Sequence, residues 1–217
     1  MPSDFPFDLL TDPKILSGFG SWEEEVYRDF RAFQEGTLSE DDLKAKYVST
    51  VAILALDMSG LTESAMEGGD LASMLKIFDI QKVCGPVFME HRAIDIHTYA
   101  DDFISTFETA GQALDSAFEI HHRIRAFNES ALATGKGISC CIGIGYGPVY
   151  RIGQNKASGD EMNRTSKLGE DTARGFETLL TEQCYLQVKH RQDAVFEERR
   201  IESLSFPFYT AVRTGGK

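Results

Sequence analysis

The stretch Val51-Ala-Ile-Leu-Ala-Leu-Asp57-Met-Ser-Gly60 decides the fold. Its apolar run, Val51 to Leu56, has the length of a strand buried on both faces, and Met58-Ser59-Gly60 reads as a turn directly after it. The run therefore delivers the carboxyl group of Asp57 to the C-terminal edge of a sheet. Downstream, Leu71, Met74, Leu75, Phe78 and Val83 recur at helical spacing behind Asp70, a residue suited to cap them. Ile94, Ile96 and Thr98 then alternate with polar neighbours, Ala100-Asp101-Asp102 interrupts, and Phe103 to Phe107 resumes. That pattern predicts a hairpin with Asp101 and Asp102 as solvent-side residues at its tip.

Beyond the hairpin, Ala110, Ala113, Leu114, Ala117, Ile120, Ile124 and Phe127 form a long helical stripe. Ile138 to Ile144 and Val149 to Ile152 flank Gly145-Tyr146-Gly147-Pro148, which predicts a second hairpin. A polar segment leads into an expected helix from Met162 to Ala173, and Thr178 to Val188, Val195 to Ile201 and Phe206 to Val212 read as short closing strands. The order β-α-β-β-α-β-β-α-β gives an α+β fold class: a ferredoxin-like core, with a mostly antiparallel sheet and helices packed on it.

Residues 1–47 read as a helical N-terminal extension to a main domain over 48–217. Ser21 with Glu24 has the capping-box pattern ahead of Val26, Tyr27, Phe30 and Phe33, and Ser39 opens a second amphipathic stretch with Leu43 and Tyr47. Such an arm either packs on the main domain or serves dimerisation or regulation, and the residues leave both open.

The chain has 217 residues, enough for one sizeable domain plus an appendage. Its 22 Lys and Arg against 34 Asp and Glu give a net charge of −12, which excludes a broad electrostatic grip on nucleic acid or anionic lipid. No apolar run approaches the ~18 residues of a membrane span, and the first residues are acidic where a signal peptide is basic. The expectation is a cytoplasmic protein with neither a nucleic-acid nor a membrane partner. Cys84, Cys140, Cys141 and Cys184 lack Cys-x-x-Cys spacing, and the adjacent Cys140 and Cys141 belong on opposite faces of a strand, so neither structural zinc nor disulfides are expected.

Asp57 and Asp101 stand at element ends that can share one edge of the sheet. Two such carboxylates suit hard, oxygen-seeking Mg²⁺ or Mn²⁺, although Asp is also common as a plain turn former. The stretch Met58-Ser59-Gly60-Leu61-Thr62 can offer backbone N–H groups to a polyphosphate, or be only a strand-to-helix turn. Asn163 and Lys167 fall on one face of a helix, either as an amide and a cation aimed at one substrate or as a solvated surface. His121-His122 diverge by about 100° on a helix and do not share a metal. Gly143, Gly145 and Gly147 are not a dinucleotide fingerprint, since no helix follows at once.

Taken together, Ala55-Leu-Asp-Met-Ser-Gly-Leu-Thr62, His97-Thr-Tyr-Ala-Asp-Asp-Phe-Ile-Ser-Thr-Phe107, Gly143-Ile-Gly-Tyr-Gly-Pro-Val149 and Gly159-Asp-Glu-Met-Asn-Arg-Thr-Ser-Lys-Leu168 resemble the catalytic domain of class III nucleotidyl cyclases in order and spacing. The resemblance implies a head-to-tail homodimer with sites at the subunit interface. In it, a nucleoside triphosphate becomes a 3′,5′-cyclic nucleotide and pyrophosphate with two Mg²⁺ or Mn²⁺ ions per site. Asp57 and Asp101 match the metal aspartates, Asn163 the residue that orients the ribose, and Lys167 stands where the family usually has arginine on the phosphate. His97 falls on the adenine-reading lysine and Lys156 on its Asp or Thr partner, so these two offer donors and no carboxylate. The base expected is one rich in carbonyl oxygens, guanine or uracil. Lys at 167 keeps a charge but loses the planar fork. A catalytically weak or silent nucleotide-binding or dimerising module, and a ferredoxin-like protein-interaction domain, remain as alternatives.

Overall fold

The strand expected before Asp57 is β1 (Val48–Met58), with residues 51–56 buried throughout. In this computed structural model, residues 6–133, 137–153 and 157–215 are described. The chain divides into two compact units, one formed by the chain up to Val48 with Tyr150–Ser158, the other by Ser49–Val149 and the chain from Gly159 onward.

In the larger unit β1 leads into α4 (Leu61–Glu90), then β2 (Asp95–Tyr99), β3 (Asp102–Phe107), α5 (Ala110–Glu129) and β4 (Cys140–Arg151). After α6 (Asp160–Ser166) comes a π-helical turn (Lys167–Thr172), then β6 (Thr178–Thr181), α7 (Glu182–Val188), β7 (Ala194–Arg199) and β8 (Phe208–Arg213). The sheet runs β2-β3-β1-β4-β6-β8-β7. The β4–β6 pair is parallel, whereas β1–β3, β2–β3, β6–β8 and β7–β8 are antiparallel, so the α+β, mostly antiparallel class expected from the sequence is the one found.

The two faces of β1 carry different cargo because successive side chains alternate. Ala52, Leu54, Leu56 and Met58 enter a core with Ile80 and Phe88 of α4 and Leu114, Ile120 and Ile124 of α5. A smaller cluster of Cys141, Leu168, Leu179 and Phe208 forms separately. Cys140 sits in the first cluster and Cys141 in the second, as alternation requires. All four cysteines are free, buried thiols.

Several expectations need correction. Residues 145–148 are not a turn: β4 runs through them, because the glycines make room rather than reverse the chain. A Cβ on Gly145 would lie 2.0 Å from Thr165 Oγ1 of α6, and one on Gly147 3.2 Å from Glu161 Cγ. Residues 182–188 form α7 instead of strand, started by Thr181, whose hydroxyl accepts the Cys184 N–H at 3.3 Å. The helix expected at Met162–Ala173 becomes α6 followed by the wider π turn. On α4, Gly69 breaks the helix at φ 77°, and Asp70 opens the segment after the break. The stripe Leu71, Met74, Leu75 and Phe78 is exposed, and Ile80, Cys84, Val87 and Phe88 supply the buried face.

The smaller unit holds α1 (Pro13–Phe19), α2 (Glu24–Gln34), α3 (Glu40–Tyr47) and β5 (Ala157–Ser158), which pairs with the last two residues of β4. Ser39 caps α3 in a full capping box with Asp42. Ser21 does not cap α2; Glu23 holds that position without a side-chain bond. The Ser21 carbonyl instead abuts Gly153, and Trp22 packs edge-on against Phe30 at 5.2 Å. Helix α1, capped by Asp12, is an element the sequence pattern does not predict, and its apolar residues Ile15 and Phe19 stay exposed. Among the described residues no helix is long and apolar enough to cross a membrane.

Candidate active site

The β1–β3 register pairs Ala55 with Ile104 and Leu56 with Phe103, so the next pair is Asp57 with Asp102. Residues directly opposite in an antiparallel ladder project to the same face, and here the two carboxyl groups share a hydrogen bond. Asp102 in turn pairs with Tyr99, which leaves Ala100 and Asp101 alone as the hairpin loop. Ala100 takes φ 54°, a left-handed conformation that favours glycine. The expectation that Asp102 is a solvent-side tip residue is corrected: it opens β3, half-buried, against Asp57.

Burial first, then the charges of Asp102 and Asp101, the bond shared with Asp102 and the charge of Glu170 push the Asp57 carboxyl up to about 7. Asp102 is raised too, by burial and by Asp101, with its bond to Asp57 working in the opposite direction. Glu170, on the π turn, is raised by desolvation and by Asp102 and Asp171, against a bond to Ser166 that lowers it. The leading charges acting on these three groups are therefore other carboxylates. A cation placed among them would relieve that repulsion.

Glycines bring Glu170 to this edge. A Cβ on Gly169 would stand 2.6 Å from the Ala55 carbonyl oxygen and 2.9 Å from Gly143 N, and one on Gly143 2.3 Å from the Thr165 carbonyl oxygen. The end of α6 and the π turn can cross β1 and β4 this closely only because both positions lack a side chain. Below the crossing, the buried Glu161 carboxylate accepts the Tyr146 N–H at 2.9 Å and the Thr181 hydroxyl, which fixes α6 on β4 and β6.

The remaining expected residues fall as follows. Asn163 and Lys167 are both exposed, Asn163 within α6 and Lys167 at the junction with the π turn. His97 lies on the edge strand β2 opposite Ile104, itself opposite Ala55, and so shares the Asp57 face of the sheet. Lys156 lies outside the described residues. Met58 is buried in the core. The Ser59 N–H already donates to the Ser139 carbonyl at 3.0 Å, and its hydroxyl lies 3.1 Å from Cys141 Sγ, so this amide is not open to a phosphate. Gly60 turns the chain at φ 78°, and Leu61 and Thr62 begin α4, where the first N–H groups of a helix lack intrahelical acceptors.

Asp102, Glu170 and Glu161 were missed as site or supporting residues. Adjacent Asp101-Asp102 in the sequence was the available signal for the first; for Glu170 and Glu161 the sequence carries none, since helical acids are usually solvated. The donor set fits a hard divalent cation, because it is all oxygen and its mutual repulsion is uncompensated. Among the described residues no group of three or more His, Cys, Asp or Glu side chains is gathered as a ready-made cage.

The fold is that of class III nucleotidyl cyclase catalytic domains. One similar solved structure is the non-canonical dimeric guanylyl cyclase domain of the RhoGC fusion protein from Blastocladiella emersonii, at TM-score 0.63 and 17% identity, over 77% of this chain and 97% of that one. The guanylate cyclase domain of RhGC from Catenaria anguillulae in complex with GTP matches at TM-score 0.64 and 16% identity, over 76% and 96%. Adenylyl cyclase CyaB from P. aeruginosa matches at TM-score 0.65 and 17% identity, over 77% and 95%. No family model matches the sequence, and no curated protein matches it.

Proposed function

We propose that this chain is a divergent class III nucleotidyl cyclase that converts a nucleoside triphosphate into a 3′,5′-cyclic nucleotide and pyrophosphate. The observation that carries the reading is the carboxylate cluster of Asp57, Asp102 and Glu170, with Asp101 beside it, at one end of a cyclase-type sheet, its members raised by burial and by one another. Asp57 and Asp101 would hold Mg²⁺ or Mn²⁺, with Glu170 as a further oxygen donor. Bound there, the metal supplies charge neutralisation for the triphosphate and lowers the cost of ionising the attacking hydroxyl.

The chain's own residues do the positioning. Asn163 orients the ribose. Its 3′-hydroxyl oxygen attacks the α-phosphorus as the bond from that phosphorus to the bridging oxygen breaks; the hydroxyl proton is released and pyrophosphate leaves. Lys167 stabilises the charge that gathers on the α-phosphoryl oxygens, with one ammonium where a guanidinium fork would bind two. His97, on the Asp57 face, and Lys156 donate to a base edge rich in carbonyl oxygens, guanine or uracil. The N–H groups opening α4 at Leu61 and Thr62, after the Gly60 turn, face the polyphosphate. The catalytic domain is taken as residues 48–217 and the helical extension as 1–47.

The active form is a homodimer, with metal residues from one subunit and base and phosphate residues from the other. The exposed stripe Leu71, Met74, Leu75 and Phe78 on α4 supports this, because a contiguous apolar face on a helix is ordinarily covered by a partner. Lys167 in place of the usual arginine favours a second reading, a nucleotide-binding module with little turnover.

Mass spectrometry after incubation with ATP, GTP, CTP and UTP in Mn²⁺ tests the activity. A single cyclic product, lost in Asp57→Asn, supports the reading, and conversion of ATP alone overturns the base assignment. If no cyclic product forms, calorimetry with Mn²⁺ and a non-hydrolysable triphosphate decides between the alternatives. Binding abolished by Asp57→Ala leaves the silent module, and no binding leaves a protein-interaction domain.

A further inference from the structure

A cavity of about 980 Å³ opens between the C-terminal half of α5 and the end of β8. Helix α5 packs on the sheet face that holds Leu54 and Leu56, so the cavity lies on the side away from Asp57. Phe118, Ala126, Phe176 and Ala211 contribute apolar lining, and Arg125 and Arg213 contribute charge.

Each guanidinium is carried on an aromatic ring: Arg125 lies 4.6 Å from the centre of Phe176, and Arg213 6.0 Å from that of Phe118. Among the described residues neither has a carboxylate at ion-pair distance, although two acids of the lining are close. Those acids are already engaged. Glu119 binds Arg123 at 2.7 Å, and Asp193, which also feels the field of Arg213, binds Arg191 at 2.9 Å. Glu129, the last residue of α5 and four residues on from Arg125, also lines the cavity and makes no ion pair with that arginine among the described residues. His121 adds no positive charge at neutral pH, because burial and the neighbouring Arg125 hold it down at about 4, with Nε2 on the Thr178 hydroxyl at 3.0 Å. In a chain of net charge −12, two arginines at one cavity that make no ion pair among the described residues call for an explanation.

We propose that this cavity binds a small organic anion whose flat apolar body lies against the Phe118 and Phe176 region and whose carboxylate or phosphate group is taken by Arg125 and Arg213. Stacking on an aromatic ring restrains a guanidinium before the ligand arrives, and its planar fork suits both oxyanions. The volume is in the range of small-molecule sites. The site is separate from the acid cluster, so it stands whether or not the chain is a cyclase.

Isothermal titration of the full chain with phenyl phosphate, in EDTA so that no metal-dependent phosphate binding intrudes, tests the proposal. One saturable site per chain is expected, unchanged in Asp57→Asn and weakened at least tenfold in Arg125→Met and in Arg213→Met. Both arginines are exposed, so these variants keep the core, and matching thermal midpoints check it. Arg125→Lys and Arg213→Lys should weaken binding less than the Met variants do, since charge is kept and the fork lost. Phenol and inorganic phosphate alone should each bind more weakly than phenyl phosphate. Absence of saturable binding at millimolar concentration, affinity unmoved by both Met variants, or phenol binding as tightly as phenyl phosphate would overturn the proposal.

Discussion

Asp57 ties stability to pH in a direction opposite to that of most carboxylates. Its folded-state value is raised to about 7 from an ordinary 3.8, so the folded protein holds the proton more tightly than the unfolded chain. The neutral form is the one the fold tolerates: stability from this group is complete below about 4, declines as pH rises between the two values, and is fully lost above about 7. Holding a carboxyl at 7 instead of 3.8 corresponds to about 4 kcal/mol. The side chain is only half-buried, and solvent screening reduces this to about 2 kcal/mol. For a chain of this length that is about 4–8 °C in the thermal midpoint. Thermal unfolding followed by circular dichroism in EDTA at pH 5 and pH 8.5, on the wild type and Asp57→Asn, measures it. The variant should be the more stable of the two at pH 8.5, and the gap should shrink at pH 5. Adding Mn²⁺ at pH 8.5 should raise the wild-type midpoint and leave the variant's almost unmoved. A wild type as stable as Asp57→Asn at pH 8.5 in EDTA would refute the reasoning, since neither burial nor the neighbouring acids would then be penalising the ionised carboxyl.

Three further outcomes follow from single contacts. Gly169→Ala sets a Cβ 2.6 Å from the Ala55 carbonyl oxygen, a backbone atom that cannot step aside, and should cost about 1–3 kcal/mol in urea unfolding; Gly18→Ala, with nothing within 4 Å, is the control that should not. Ala100→Gly relieves the φ of 54° at the hairpin tip and should stabilise by about 0.5–1 kcal/mol after the added freedom of the unfolded chain is counted, read in the same assay. In the product assay, Lys167→Ala should lower turnover about 100-fold, and Lys167→Arg should raise it above wild type by restoring the fork.

The sheet was legible where one-dimensional pattern and burial agree. A strand buried on both faces shows as an unbroken apolar run, and β1 has no rival reading. The errors cluster where a residue's job is tertiary. Glycine in β4 looks like a turn to any local rule, yet Gly143, Gly145 and Gly147 are thin because α6 and the π turn press on them. The exposed stripe on α4 has helical spacing indistinguishable from that of a buried face, since periodicity reports amphipathicity and not which side is covered.

The same limit explains the acid cluster. Asp101 and Asp102 are neighbours in sequence, and in a strand one step of register exchanges the two faces. Only the pairing of Leu56 with Phe103 places Asp102, not Asp101, directly across from Asp57. Asp101, matched to the metal ligands by resemblance, then sits in the loop, and its neighbour Asp102 shares the hydrogen bond with Asp57. An extra carboxyl at that position ties up Asp57 in a proton-sharing bond unless a cation displaces the proton. Metal binding and proton release are thereby coupled, so if the cyclase reading holds, this chain should require a higher pH or a higher metal concentration than Asp102→Ala, in which Asp57 is released. Activity titrated with Mn²⁺ at pH 6 and pH 8 on both proteins reads that coupling. A wild type that needs no more metal at pH 6 than Asp102→Ala would show that Asp102 is a passive neighbour.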